Sequence, residues 1–179
     1  TGPHLKEFLE LVIRETGAES VSIIAHSMGN LPLLRVLRDL APTMPPDVKI
    51  DQVIMAAPAI DRDLFRQLTR DFNRVGRGAT LYASSNDRAM TVGRELTAVP
   101  YAGDVPKDGP VIVDGVDTID ISSLSTDTFA LNHSTYAERT ALIKDIELIL
   151  QKKGRPMDRL PTYQVMTTPR GDYWRYPAQ

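Results

Sequence analysis

The sequence contains no cysteine, which excludes disulfide bonds, thiolate metal ligands and a cysteine nucleophile. It also contains no apolar run approaching the ~20 residues that a membrane-spanning helix needs, and no signal-peptide pattern. Charge of one sign is not in excess, because 21 basic and 23 acidic side chains are well mixed and give a formal net charge of −2. The sequence therefore predicts no membrane span and no nucleic-acid partner, and it leaves the cellular compartment open.

Alternating apolar patterns run along most of the 179 residues, of which 42% are hydrophobic. Short runs rich in β-branched residues predict strands over 20–25, 50–57, 79–84 and 116–122. Amphipathic runs predict helices over 4–15, 28–40 and 134–153. A fourth helix is predicted to begin with Asp61 as its N-cap, and a short fifth helix is predicted to begin near Asp87. This alternation predicts an α/β fold, a three-layer sandwich with a mostly parallel sheet covered by helices on both faces.

More local expectations follow from composition. The strand over 20–25 is expected to be buried on both faces, and Gly76 with Gly78 is expected to form a turn. Val111–Val113 and the strand after Asp114-Gly115 are candidates for a hairpin. The folded core is predicted over residues 1–153, and the proline-rich residues 154–179 are interpreted as an irregular strap or tail.

The segment VSIIAHSMGNLPLL, residues 21–34, places a serine where a strand turns into an apolar helix. In a G-x-S-x-G elbow, small residues on both sides of the serine let strand and helix approach, and strain lifts the hydroxyl above the sheet. Here Ala25 and Gly29 occupy those positions around Ser27. The segment predicts Ser27 as a nucleophile and the Met28 N–H as an oxyanion donor, with helix capping by Ser27 as the alternative.

A serine nucleophile needs a histidine to accept its proton, and the sequence has three. His4 precedes the serine in an opening helical turn, which is typical of a solvated surface residue. His26 is adjacent to Ser27, and neighbours on a strand point to opposite faces. His133 follows the last predicted strand in LNHSTY, at the functional edge of the sheet, and elimination favours it as the base.

An acid must orient that histidine, and the expected chain order is serine, acid, histidine. Asp87 follows the third predicted strand in SSND and is the favoured acid, with an N-cap role as its alternative. The rivals are Asp114, Asp117 and Asp120. Asp117 and Asp120 lie within a predicted strand, which favours a structural role for both.

With these residues in place, the chain resembles the carboxyl-terminal half of an α/β-hydrolase, and more closely the bacterial DUF900 family of esterase- or lipase-like proteins. The resembling segments are IIAHSMGN (23–30), DQVIMAAPAIDRDLF (51–65), TLYASSNDRAM (80–90), GVDTIDIS (115–122) and LNHSTY (131–136). The resemblance covers residues 20–150. It implies Ser27 as nucleophile, Asp87 as acid and His133 as base, in a hydrolase whose natural substrate is generally unassigned. We predict a serine hydrolase that acts on a small-molecule carboxylic ester or acyl substrate through an acyl-enzyme.

One departure from that family pattern concerns the start of the chain. An α/β-hydrolase supplies several strands and a His-Gly loop, with a second oxyanion donor, before its elbow strand, whereas here a single helix precedes it. We interpret the chain as lacking the N-terminal strands, and expect the missing half or an oligomer partner to cover the open edge of the first strand.

Other classes of function are less well supported. No Gly-x-Gly-x-x-Gly follows a predicted strand, and neither a phosphate-binding P-loop nor a zinc-ligand pattern is present. The predicted chemistry needs no metal or organic cofactor. The principal alternative is a catalytically silent fragment of the fold that acts as a binding or assembly domain.

Overall fold

The computed structural model describes residues 2–44, 50–85, 100–124, 136–152, 154–159 and 163–177. Asp87, His133 and the predicted helix near Asp87 lie outside the described residues. In chain order, the helices are α1 (Gly2–Glu15), α2 (Asn30–Leu40), α3 (Arg62–Thr69), α4 (Tyr136–Lys152) and α5 (Pro156–Arg159). The strands are β1 (Ser22–His26), β2 (Ile50–Ala56), β3 (Gly76–Ala83), β4 (Asp117–Asp120), β5 (Gln164–Thr168) and β6 (Gly171–Arg175).

The strands form one six-stranded sheet in the order β1-β2-β3-β4-β6-β5. Strands β1 to β4 are parallel, β6 pairs in parallel with β4, and β5 pairs with β6 in antiparallel fashion. The mostly parallel sheet brings the carboxyl ends of β1 to β4 to one edge, which is where α/β folds place functional residues.

Apolar side chains alternate between the two faces of the sheet and build a core on each. Val53 and Met55 of β2 pack on the side of α1, α2 and α3, whereas Ile54 packs with Ile149 of α4. The four leucines of α2 at positions 33, 34, 37 and 40 are all buried. Helices on both faces of a mostly parallel sheet confirm the predicted three-layer α/β architecture.

Strand β1 differs from the prediction of burial on both faces. Within the described residues it pairs with β2 alone and forms one edge of the sheet. Ala25 is buried against the helical layer, but Ile24, on the other face, is 54% exposed. Helix α4 packs over β2 and its neighbours, so among the described residues the outer face of β1 stays open.

Gly76 and Gly78 lie inside β3, so the predicted turn at these glycines is wrong. The turn comes earlier, in a 3₁₀ segment over Phe72–Arg74. A Cβ on Gly76 would lie 2.3 Å from the ring of Phe72, and one on Gly78 would lie 2.5 Å from the amide of Gln52. Crowding by neighbouring side chains, rather than a turn, explains both glycines.

Residues 164–175 form the β5–β6 hairpin, so the prediction of an irregular segment is wrong for this stretch. The hairpin adds to the sheet next to β4, with Trp174 opposite Ile119. Trp174 and Tyr163 are buried in the core on the α4 side. This apolar anchoring outweighs the turn-forming residues that made the segment look irregular.

Some large apolar side chains on the helices lie at the surface and a polar one caps a helix. Phe8 of α1 and Ile143 of α4 are 58% and 63% exposed. The Asp61 carboxylate accepts hydrogen bonds from the Asp63 and Leu64 N–H groups, which confirms it as the N-cap of α3. Val113 and Val116 pair across Asp114-Gly115, as the hairpin prediction expected.

Candidate active site at the carboxyl edge of the sheet

Ser27 directly follows β1 and has a backbone φ of +51°. A non-glycine residue in this left-handed region costs about 1–2 kcal/mol, so it persists only where the surroundings enforce it. A 3₁₀ turn over Ser27–Gly29 continues into α2. The chain therefore passes from strand to helix through a strained serine at the carboxyl edge of the sheet.

The carbonyl oxygen of Ser27 is held by several donors. The Asn30 N–H bonds to it within the 3₁₀ turn, and the Asn30 side-chain amide donates to it at 2.9 Å. The Ala59 N–H reaches it at 3.4 Å from the segment after β2. The same Asn30 amide nitrogen also lies 3.3 Å from the Ala56 carbonyl oxygen. The elbow is thus tied to the neighbouring strand β2.

A second strained residue stands at the end of β2. Ala57 has a φ of +43° and is buried, and its N–H donates to the Tyr82 carbonyl of β3 at 3.0 Å. Two residues further on, Ala59 donates to Ser27. The two left-handed residues therefore directly follow the adjacent parallel strands β1 and β2, and the hydrogen bond from Ala59 to Ser27 links the segments that contain them.

The two small residues around Ser27 have unequal surroundings. Ala25 is buried on the face of β1 that packs on the helical layer. Gly29 has an ordinary φ of −64°, and a Cβ added there would find no heavy atom of the described residues within 4 Å. Within the described part of the chain, close packing accounts for the small residue at 25 but not for the glycine at 29.

Met28 follows Ser27 and is 76% exposed. The backbone N–H of Met28, which is the predicted oxyanion donor, lies next to Ser27 in the first turn after β1. A single exposed apolar side chain is normal on a protein surface, so the exposure of Met28 does not by itself indicate a function.

The histidines and rival acids that are described have other surroundings. His4 is exposed on α1, with Nδ1 3.7 Å from the carboxylate of Glu7. His26 is the exposed last residue of β1. Asp114 is exposed beside Gly115, whose φ is +79°.

Asp117 and Asp120, the remaining rival acids, are bound by arginines. The Asp117 carboxylate lies 2.9 Å from Nη2 of Arg155, and burial raises its pKa although Arg155 opposes the shift. The Asp120 carboxylate accepts from Nε of Arg175 at 3.0 Å and from the N–H and hydroxyl of Ser122. These contacts support a structural role for both.

The end of β3, which leads toward Asp87, is fixed to the end of β4. The Ser85 N–H donates to the Ser122 hydroxyl oxygen at 2.8 Å, and Ser84 forms a bridge with Asp104. Ser122 is in turn held by Asp120, so a short chain of hydrogen bonds fixes Ser85, the residue after the end of β3 and Ser84. The sequence did not identify Asn30 or Ser122 in this arrangement, because neither belongs to a recognised catalytic motif.

Among the described residues, no group of three or more histidine, aspartate or glutamate side chains is arranged to hold a metal ion. In the same part of the chain, no helix is both long and apolar enough to cross a membrane.

A mostly parallel sheet covered on both faces, with a strained serine between strand and helix at its carboxyl edge, defines an α/β-hydrolase type of fold. The chain belongs to the DUF900 family, described as alpha/beta hydrolases of unknown function, which matches residues 1–152. No curated protein sequence matches the chain significantly.

The chain is similar to the solved structure of a "putative cell surface hydrolase" from Lactobacillus plantarum WCFS1, with 16% sequence identity and a TM-score of 0.48. The alignment covers 88% of this chain, and the chain spans 64% of the length of that protein.

Proposed function

We propose that the protein is a serine hydrolase that cleaves carboxylic esters of small molecules through an acyl-enzyme. The observation that carries the proposal is the left-handed conformation of Ser27 between β1 and α2. Strain of this kind persists where a side chain must be presented outward, and membership of a hydrolase family gives the serine its chemical context.

In the proposed first step, His133 accepts the hydroxyl proton as the Ser27 oxygen attacks the ester carbonyl carbon. Asp87 holds the imidazole and stabilises its charged form. The carbonyl π electrons move to oxygen, and the Met28 N–H stabilises the resulting oxyanion. As the intermediate collapses, the ester C–O bond breaks and the leaving alkoxide takes the proton from His133, which leaves an acyl group on Ser27.

In the proposed second step, water attacks the acyl-enzyme and His133 accepts a proton from it. Collapse releases the carboxylic acid and returns the proton to the Ser27 oxygen. Every proton and electron pair is accounted for by the three side chains, the ester and one water molecule, so the proposed cycle uses no further reactant.

A fluorophosphonate probe tests the proposal, because it forms a covalent bond with an activated serine. We expect labelling of the peptide that contains Ser27, measured by mass spectrometry, and turnover of short-chain aryl esters. Ser27→Ala removes both, whereas His133→Ala and Asp87→Asn lower the rate at least ~10³-fold. Ser22→Ala, a change at an exposed serine of β1, is the matched control and retains the wild-type rate.

A second experiment examines the role assigned to Met28. Met28→Ala keeps the backbone N–H and removes only the exposed side chain, so labelling by a small fluorophosphonate is expected to stay within about twofold. Wild-type protein that is folded yet unlabelled, or that is labelled equally in Ser27→Ala, contradicts the proposed function.

A binding or assembly domain is the second candidate. The observation that favours it is the outer edge of β1, which among the described residues carries no neighbouring strand and exposes Ile24. The same probe separates the candidates, since a binding domain has no activated serine to label.

A further inference from the structure

Asn30 is the first residue of α2 and is completely buried. The other buried residues of this helix are leucines and a valine, so a polar side chain stands out there. A buried amide is costly unless its groups are hydrogen-bonded. Here the amide nitrogen donates to two carbonyl oxygens, those of Ser27 and Ala56, at the ends of adjacent strands.

The orientation of this amide is determined by its surroundings. If it were rotated by 180°, its oxygen would face two carbonyl oxygens, which repel it. In the observed orientation, the Asn30 Oδ1 atom is buried without a hydrogen-bond partner among the described protein atoms. The molecule therefore tolerates an unsatisfied acceptor and keeps both donors directed at the elbow.

The position of the Ser27 carbonyl also determines where the next N–H points. A trans peptide is planar, and its C=O and N–H groups point in opposite directions. Asn30 and the Ala59 N–H hold the Ser27 carbonyl on the side of β2. The Met28 N–H, in the same peptide group, is consequently directed away from them.

We infer that Asn30 is a positioning residue, which fixes the Ser27–Met28 peptide so that the serine stays in its left-handed conformation and the Met28 N–H is aimed as an oxyanion donor. This inference rests on the proposed function for its catalytic consequence. It does not rest on that function for its structural content, because the hydrogen bonds of Asn30 act on the elbow whether or not the serine reacts.

Asn30→Leu tests the inference, since leucine has a similar volume and no donor. Thr69→Val is the matched control: Thr69 is also completely buried, and its hydroxyl donates to a backbone carbonyl, that of Phe65, at 2.8 Å. We expect kcat for Asn30→Leu to fall about 10- to 100-fold with KM within about twofold, and Thr69→Val to match the wild type. If Asn30→Leu does not fold, Asn30→Ala takes its place.

Hydrogen exchange supplies a readout that is independent of catalysis. The amide hydrogens of residues 27–30, Ala57 and Ala59 are expected to exchange at least about tenfold faster in Asn30→Leu than in Thr69→Val. If the wild-type protein proves unreactive but exchange is faster in Asn30→Leu than in Thr69→Val, the positioning role is upheld and the hydrolase is rejected. A kcat or exchange rate within about twofold of that of the Thr69→Val control would overturn the positioning role, whatever the serine does.

Discussion

The elbow and the core beneath α4 solve the problem of burying polar groups in opposite ways. The elbow carries no charge in its described contacts, and it contains the two left-handed non-glycine residues of the described chain, Ser27 and Ala57. On the other face of the sheet lies a carboxylate cluster, formed by Tyr82, Asp145, Arg159 and Tyr163. Its members are charged or strongly polar, and none has a positive φ.

The carboxylate cluster satisfies its central group fully. Asp145 of α4 accepts hydrogen bonds from the hydroxyls of Tyr82 and Tyr163 at 2.5 and 2.8 Å. Arg159 donates to it from Nε at 2.9 Å and from Nη2 at 3.3 Å, and also to the Gly154 carbonyl at 2.7 Å. Good geometry and many partners are what a buried ion pair needs to offset its desolvation.

Under the proposed function, this difference separates a part of the molecule suited to reactivity from a part suited to stability. The cluster joins β3, α4 and α5, and thereby fastens the segment after residue 152, where the family match ends, to the sheet. The elbow instead retains strain, which lowers stability and presents a hydroxyl. Changes in the cluster should therefore alter unfolding, and changes at the elbow should alter chemistry.

The largest expected effect is that of Asp145→Ala. It leaves the guanidinium of Arg159, which is 99% buried, without its counter-charge. We expect a loss of about 3–5 kcal/mol in the free energy of unfolding, measured with urea. Fluorophosphonate labelling per folded molecule should remain near the wild-type rate.

Asp39→Asn is the control for this change, because Asp39 forms an ion pair with Arg38 in which both side chains are 54% exposed. Such a surface pair contributes about 0–1 kcal/mol. If Asp145→Ala cost no more than Asp39→Asn, the contrast between cluster and elbow would be lost.

Alkaline pH probes the same cluster without mutation. Burial, followed by the charge of Asp145, raises the pKa of Tyr82 and of Tyr163 above the usual value of about 10. Both tyrosines stay neutral in the folded protein where the unfolded chain ionises. The unfolded state then binds fewer protons, so stability is intact below about pH 10 and falls as the pH rises above it.

Above about pH 10, each of the two tyrosines is expected to lower the free energy of unfolding by about 1.4 kcal/mol per pH unit. Tyr82→Phe should remove about half of this slope, as read from urea unfolding between about pH 9 and pH 11. An unchanged slope in Tyr82→Phe would mean that the Tyr82 hydroxyl is not held neutral by burial beside the Asp145 carboxylate.

These two regions also differ in how far the sequence predicts them. The elbow is encoded locally: a β-branched run, small residues around a serine and an apolar helix lie within 14 consecutive residues, 21–34. Backbone sterics then dictate the strained turn. The predicted strand, serine and helix were accordingly found in order, although the open outer face of β1 was not expected.

The cluster is encoded by residues far apart in the chain. Asp145 lies 63 positions from Tyr82 and 14 from Arg159. On a helix, an isolated aspartate normally indicates a solvated face, and only the packing of α4 on the sheet reveals that it is buried. The same reasoning explains Asn30, whose partner at Ala56 becomes a neighbour only when β1 and β2 pair.

Ala57→Val is expected to have the next largest effect. A β-branched side chain is disfavoured at a φ of +43°, and Ala57 is buried against neighbours that leave little room for two more methyl groups. We expect a loss of about 2 kcal/mol in the free energy of unfolding, with slower labelling of Ser27 because Ala59 no longer reaches its carbonyl. Ala57→Gly should lie within about 1 kcal/mol of the wild type, and a valine variant as stable as the glycine variant would contradict the strain at this position.

The smallest expected effect is the difference in stability between the glycine and alanine variants of Ser27. It is diagnostic of strain because its sign is expected to be opposite at Ser22. At φ +51°, glycine relieves about 1–2 kcal/mol that alanine retains, and it costs about 0.4–1 kcal/mol in unfolded-chain entropy. Ser27→Gly should therefore be more stable than Ser27→Ala by about 0.5–1 kcal/mol. At Ser22, an exposed residue within β1, the order should invert, since glycine weakens a strand. Urea unfolding of the four variants measures both differences in stability. If the glycine variant were the more stable one, or the less stable one, at both positions, the elbow would store no strain. The contrast between the elbow and the core beneath α4 would then rest on the carboxylate cluster alone.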